Sequence, residues 1–279
     1  MTHVALPALS EQLKASGLWP DKRFGQHFLL DINITDKIAR AAPIDAQTLV
    51  IEVGPGPGGL TRSILQQTPA AQLVAIEADK RFIEFLQPLK IAYPNRAEIL
   101  QHDALKINWP QLCAQYNAQK VVVISNLPYN VGTALWLDWL GHLNLFSDFV
   151  LMFQREVAER LSAQVGDSAY GRLSIITQAQ VRVTKVFDLA PEAFYPPPKV
   201  WSRVVHMAPL PVLPPAIIIK KLAQLTHLAF QQRRKMLRQS LKPYVAILEK
   251  LDIASTQRAE ELPVATWLKL AQTVIDSGL

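Results

Sequence analysis

The sequence predicts a doubly wound α/β sheet joined to a small C-terminal all-α domain. Two observations carry the prediction. Short β-branched runs alternate with helical stretches through the first half of the chain, and a glycine-rich string stands between the first such run and the helix after it. Such alternation implies parallel strands with crossover helices, whose binding residues gather at the carboxyl ends of the strands.

In chain order, strands are expected over 49–53, 73–76, 97–100 and 121–125, with helices over 60–67, 80–89 and 136–143. A strand at 149–153 and a helix at 155–162 follow, and two further strand-like runs, 174–183 and 200–207, suit a terminal antiparallel hairpin. Prolines at 209, 211, 214 and 215 break both helix and ladder, so a linker is expected there, dividing a domain over 1–209 from a helical domain over 210–279.

With 279 residues, 49% of them hydrophobic and 19% charged, the chain can bury a full core. Its apolar runs are too short for a transmembrane helix, and the first residues lack the pattern of a signal peptide. A cytoplasmic protein with no membrane partner is expected. Cys113 is the one cysteine and the six histidines are scattered, so no metal is expected. The formal net charge is +6, and it is unevenly spread. Residues 193–248 hold no Asp or Glu but nine cations (Lys199, Arg203, Lys220, Lys221, Arg233, Arg234, Lys235, Arg238 and Lys242), which leaves −3 for the rest of the chain. Concentrated basicity of this kind points to an anionic partner.

The string EVGPGPGG (52–59) follows the first expected strand. Glycine permits a tight turn and close approach of the backbone to a ligand, and the helix N-terminus adds partial positive charge. Gly54, Gly56 and Gly59 satisfy G-x-G-x-x-G with Glu77 about 20 residues on, the formal signature of a dinucleotide site. Glu52 separates the alternatives. A carboxylate facing the crevice suits the ammonium and sulfonium of S-adenosylmethionine and repels a pyrophosphate. Glu77 ends the second strand, where it can accept both ribose hydroxyls. Asp103, after the third, can accept from the adenine amine.

After the fourth strand stands Asn126-Leu127-Pro128-Tyr129. An adenine amine is a weak nucleophile because its lone pair is delocalised into the ring. Hydrogen bonds from it to the Asn126 side-chain oxygen and the Leu127 carbonyl would turn the lone pair toward a methyl donor. Pro128 would stiffen the turn, and Tyr129 would stack on an extruded base. A sulfonium is already activated, so no catalytic His or Cys is required.

These strings resemble the KsgA (RsmA) family of bacterial 16S ribosomal RNA adenine dimethyltransferases. The likeness runs from about Lys22 to the C-terminus through KRFGQHFL (22–29), EVGPGPGGLT (52–61), Glu77, HDA (102–104), NLPYN (126–130), QREVAERL (154–161), YGRLS (170–174), FYPPPKVWS (194–202) and FQQRRKMLRQSL (230–241). The resemblance implies a class I S-adenosylmethionine-dependent methyltransferase fold, Rossmann-like, with a helical C-terminal domain. It implies dimethylation at N6 of two adjacent adenosines in the loop of the last small-subunit RNA hairpin, by a monomer needing no obligate protein partner. By matched positions, His27, Leu29, Gly54, Glu77, Asp103 and Asn126 would contact the cofactor, and Phe194 would pack near the target base opposite Tyr129. Two positions depart from the family's usual pattern. His27 stands where Asn is frequent, which leaves open which ring nitrogen meets the cofactor, and Pro57 stands within the glycine loop.

If 220–242 is one helix, Gln231, Arg234, Lys235, Arg238 and Lys242 share a stripe opposite Leu222, Leu225, Ala229, Met236 and Ser240. With no acid close by in sequence, Arg234, Lys235, Arg238 and Lys242 are expected to bind RNA phosphates, and Arg233, on the apolar side, to pair across the domain interface. Three alternatives remain at this point: an NAD-dependent oxidoreductase, supported only by the glycine spacing; a ribosome-assembly factor without catalysis; and a relative acting on large-subunit RNA.

Overall fold

Five parallel strands form the centre of the molecule's sheet. They are β2 (Thr48–Val53), β3 (Gln72–Glu77), β4 (Ala97–Gln101), β5 (Lys120–Asn126) and β6 (Asp148–Gln154), and with β7 (Val181–Leu189) and β9 (Ser202–Pro209) they take the order β4-β3-β2-β5-β6-β9-β7. β9 runs antiparallel to β6 and lies between it and β7. The computed structural model describes residues 6–20, 25–70, 72–232 and 234–278.

The strand order reverses at β2, which pairs with β3 on one side and β5 on the other. A crevice therefore opens at the carboxyl ends of these two strands. Every residue of β2 is buried, which explains why Leu49, Val50 and Ile51 read as a continuous apolar run rather than an alternating one. Helices α3 (Gly59–Gln67), α4 (Lys80–Ala92), α5 (Trp109–Gln115) and α6 (Gly132–Leu140) connect the strands, and α7 (Arg155–Ser162) follows β6 as expected. Arg96 fixes the turn after α3 by donating to the carbonyls of Leu65, Thr68 and Ala70 at 3.0 to 3.2 Å. Ahead of the sheet come α1 (Leu9–Ser16), the two-residue strand β1 (Phe28–Leu29) and α2 (Ile32–Ala39). β1 pairs antiparallel with β8 (Phe194–Tyr195), placing Phe28 opposite Tyr195 and Leu29 opposite Phe194.

Contacts divide the chain into one unit of Met1–Ala158 with Thr184–Ala208, and a second of Glu159–Val183 with Pro209–Leu279. One division falls at the proline cluster, between Ala208 and Pro209, while 159–183 groups with the C-terminal unit. Two of its residues show why. Tyr170 is 1% exposed and donates to the Leu262 carbonyl, and Ile175 is fully buried in the same cluster as Leu222, Leu248 and Trp267. The strand expected at 174–183 is another correction: Arg172–Gln178 is helix α8, with Gly171 and Ser174 at its N-terminus, and β7 begins only at Val181.

The single helix expected over 220–242 is broken as well. Helix α9 (Ala216–Gln231) ends where Gln232 leaves helical geometry at φ −124°, ψ 62°. Beyond it Met236 bridges Arg258, and the Leu237 and Arg238 amides donate to the carbonyls of Gln257 and Ser255. The chain then forms α10 (Leu237–Ser240), α11 (Val245–Lys250) and α12 (Val264–Asp276). Arg233 lies outside the described residues, as do Lys22 to Phe24 of the first motif. No helix of the described residues is long and apolar enough to cross a membrane.

Candidate active site

Beyond β2 the chain turns through Gly54, Gly56 and Gly58, all with positive φ (69°, 53° and 84°), before entering α3. Such values strain any residue with a Cβ. Close packing adds a second demand at Gly59, where a Cβ would stand 2.4 Å from the Leu29 carbonyl oxygen. A Cβ on Gly54 would meet Pro128 Cδ at 3.2 Å, and one on Gly56 would meet Phe28 Cε1 at 3.1 Å. The glycine loop is thus held between the 126–129 turn and the β1 segment, and all three segments wall one cavity.

Glu77, at the end of β3, accepts from the Gly56 amide (2.9 Å) and the Asp79 amide (2.8 Å). Its carboxyl clips the glycine loop to the β3–α4 turn. Burial raises its pKa, while these amides pull the other way. Glu52 is more enclosed. It is 1% exposed, and burial pushes it up to about 8, with the Thr61 hydroxyl opposing and the Glu77 charge adding to the rise. Its Oε2 finds no hydrogen-bond donor among the described residues. Asp103 instead stays exposed, capping the short turn Ala104–Lys106 through the Leu105 amide.

Asn126 ends β5 and donates through Nδ2 to the His27 carbonyl at 3.1 Å. That bond fixes the amide plane and leaves Oδ1 as an acceptor. The Pro128 carbonyl accepts from the Val131 and Gly132 amides, closing the turn that leads into α6. Tyr129 shares a hydrogen bond with the Ser202 hydroxyl, and its ring lies 5.5 Å from that of His27 at an interplanar angle of 31°. Burial raises the Tyr129 pKa, and Ser202 opposes it. His27 Nδ1 lies 2.7 Å from the Pro196 carbonyl. A carbonyl only accepts, so Nδ1 carries the proton of the neutral ring and Nε2 is the nitrogen left to meet a ligand.

The structure therefore brings His27, Leu29, Glu52, Gly54, Gly56, Glu77, Asp103, Asn126, Leu127, Pro128 and Tyr129 to a single cavity, along with Pro57. Phe194 is not on its wall. It packs instead with Leu29 in the core cluster around Ile38 and Val204, where it is 4% exposed. Phe28 and Asp79 carry more than the sequence disclosed. Phe28 packs edge-on against Phe82 and walls the cavity, and Asp79 caps α4 while accepting from Gln26 at 3.1 Å. Phe28 stood inside a recognised motif, but its direction depends on pairing with Tyr195 of β8, far along the chain.

In the second unit Arg234, Lys235, Arg238 and Lys242 are all exposed, although no single helix carries them. Arg234 shares a cleft with Asp167, Arg258, Glu260 and Glu261, so acids absent from its sequence neighbourhood reach it through the fold. Arg203 is withdrawn from the basic surface. It is 9% exposed and grips Asp188 with bonds of 2.6 and 3.0 Å, holding that carboxyl down at about 2.

A doubly wound sheet with a glycine loop, buried acids and a rigid amide at one strand-end cavity defines an S-adenosylmethionine-dependent methyltransferase. The chain matches the ribosomal RNA adenine dimethylase family over residues 20–276. It is 45% identical over 276 residues to the ribosomal RNA small subunit methyltransferase A of Mesorhizobium japonicum, covering 96% of this chain and 98% of that one. The protein of the same name from Azorhizobium caulinodans is 46% identical over 274 residues, covering 95% and 92%. Among solved structures, a dimethyladenosine transferase from Plasmodium falciparum superposes with a TM-score of 0.77 at 28% identity, covering 91% of this chain and 99% of that one. The chain belongs to the ribosomal RNA adenine dimethylase family, and its methyl donor is S-adenosylmethionine.

The cavity suits that donor. Glu52 offers a buried acceptor without a donor of its own, matched to a cationic group, and Glu77 and Asp103 add two more carboxylates at successive strand ends. The NAD alternative would set Glu52 against a pyrophosphate.

Proposed function

We propose that this enzyme methylates N6 of two adjacent adenosines in the loop of the 3′-terminal hairpin of 16S ribosomal RNA, within the small ribosomal subunit or its precursor, giving a dimethyladenosine at each. The observation that carries the reading is the Asn126 amide, anchored through Nδ2 so that Oδ1 is presented as an acceptor at the end of β5. Oδ1 and the Leu127 carbonyl are the two groups that would receive the hydrogens of an adenine amine. Their bonds stabilise positive charge developing on nitrogen and orient its lone pair, and because the turn is already fixed they do so without reorganisation.

S-adenosylmethionine, when bound, supplies the activated methyl and leaves as a neutral thioether. Glu77 would accept from its ribose hydroxyls with the lone pairs not used by Gly56 and Asp79, Asp103 from its adenine amine, and Glu52 would face its cationic end. Gly54 and Gly56 bring backbone close, and Leu29 and His27 Nε2 line the wall. Tyr129, pinned by Ser202 and flanked by His27, would stack on the extruded adenine, and its buried setting keeps the phenol neutral at physiological pH. Phe194, packed in the core cluster with Leu29, would back this wall. Lys235, Arg238 and Lys242, with Arg234, would bind RNA phosphates and set register. A monomer acting in the cytoplasm on assembling subunits fits this role.

The test is to incubate unmodified small subunits with the protein and methyl-labelled S-adenosylmethionine, then map label by nuclease digestion and mass spectrometry. Two neighbouring dimethyladenosines in one fragment near the 3′ end are expected. Label confined to large-subunit RNA or to another base would overturn the assignment.

A further inference from the structure

Trp19 and Tyr195 form an exposed aromatic pair that the chemistry described above leaves unused. Trp19 is 61% exposed and Tyr195 44%, and their rings meet at 6.1 Å with a tilt of 48°. Their place follows from the β1–β8 ladder. Residues directly opposite in an antiparallel pair project to the same face. Leu29 and Phe194 share the face turned to the core, whereas Tyr195 shares the other face with Phe28, whose ring walls the cavity. Pro196, next to Tyr195, is tied to His27 at the cavity wall, and the Trp19 carbonyl accepts from Arg81, which Asp79 holds at 2.6 Å. Both rings are therefore carried on the frame of the active site.

We infer that Trp19 and Tyr195 are a stacking platform for a nucleobase of the RNA substrate that flanks the adenosine undergoing methylation. The inference rests on the RNA substrate reading. An adenine whose amine reaches Asn126 must leave its stack, and its neighbours are then left without a stacking partner. Exposed aromatic faces replace that partner for any base, and single-stranded loops are bound this way. Lys199, exposed four residues after Tyr195, offers charge suited to the attached backbone and unsuited to a purely apolar partner. The platform positions the substrate; it does not touch the reacting atoms.

Trp19→Ala, Tyr195→Ala and Tyr195→Phe are assayed against unmodified small subunits, with cofactor Kd and Tm measured alongside. Either alanine variant should raise KM for subunits by about tenfold or more, as removal of one stacked base does, with kcat, cofactor Kd and Tm unchanged. Tyr195→Phe, which keeps the ring, should retain the wild-type KM. Ultraviolet cross-linking of the wild-type complex should join a ribonucleotide to a peptide containing Trp19 or Tyr195. An unchanged KM in both alanine variants, cross-links from this pair only to a ribosomal protein, or a solution dimer that Trp19→Ala dissociates would overturn the inference. A wild-type protein that methylates no ribosomal RNA would overturn the substrate reading and the platform with it.

Discussion

Glu52 sits on a fully buried strand with its carboxyl enclosed and one oxygen without a donor among the described residues. Its pKa, raised to about 8 chiefly by burial, has a consequence for the free protein. Because the folded value lies above the unfolded one, the native state holds an extra proton between about pH 4.5 and 8, and the stability this gives is lost as pH rises through that window. Glu52→Gln removes the ionisation while keeping the shape. The variant should therefore be more stable than wild type at pH 8, by a larger margin than at pH 5, in thermal melts without cofactor. Equal margins at the two pH values would contradict the assignment. The same substitution should weaken cofactor binding, since glutamine cannot ionise to meet the cationic end that Glu52 is proposed to face. That Glu52 lines the site was legible in sequence from its place two residues before Gly54. Its degree of burial was not, because it depends on strands pairing on both sides of β2.

Elements decide where these residues point. Gly59 opens α3 directly beneath the Leu29 carbonyl. Gly59→Ala must push β1 away from the helix, at a cost of about 1–3 kcal/mol for an overpacked contact, and should lower both Tm and cofactor affinity. Gly171→Ala is the matched control. Gly171 has extended backbone, and its added Cβ would lie 3.8 Å from Phe230, an ordinary contact, so Tm should hardly move. The strands of the parallel sheet were legible because each is an apolar run with a polar or glycine end, and the chemistry-bearing residues stand at those ends. Other elements were not legible, for separate physical reasons. Residues 174–178 carry two β-branched isoleucines, yet a Gly–Ser N-terminus and burial against α9 make them helical. α9 ends without a glycine or proline stop because 236–238 pair with 255–258, a tertiary contact with no local signature. The burial of Phe194 was not legible because a two-residue ladder sets which ring faces the core, and no periodicity is readable over two residues.

Over the whole molecule, charge is segregated: the cations of 193–248 outweigh a net negative remainder. The fold edits that surplus. Arg203 is taken up by Asp188, and Arg234 lies in a cleft with three carboxylates, whereas Lys235, Arg238 and Lys242 stay exposed. Arg238→Ala combined with Lys242→Ala should weaken subunit binding and flatten its salt dependence by about 0.7 in log–log slope for each phosphate left without its cation. Arg234→Ala should flatten it less, and cofactor Kd should stay constant in all of them. An unchanged slope in the double variant would remove the RNA-phosphate role from this surface.

In the proposed reaction, Asn126 Oδ1 and the rigid turn after it activate an adenine amine for methyl transfer, and every other role is arranged around that step. The most direct measurement is single-turnover methyl incorporation into unmodified small subunits by wild type and Asn126→Ala, with the RNA digested to nucleosides and cofactor Kd measured on both proteins. Removing one preorganised hydrogen-bond acceptor from the transition state should slow transfer by about a hundredfold or more, with wild-type label appearing as dimethyladenosine and cofactor still bound by the variant. Undiminished transfer by Asn126→Ala would contradict that role.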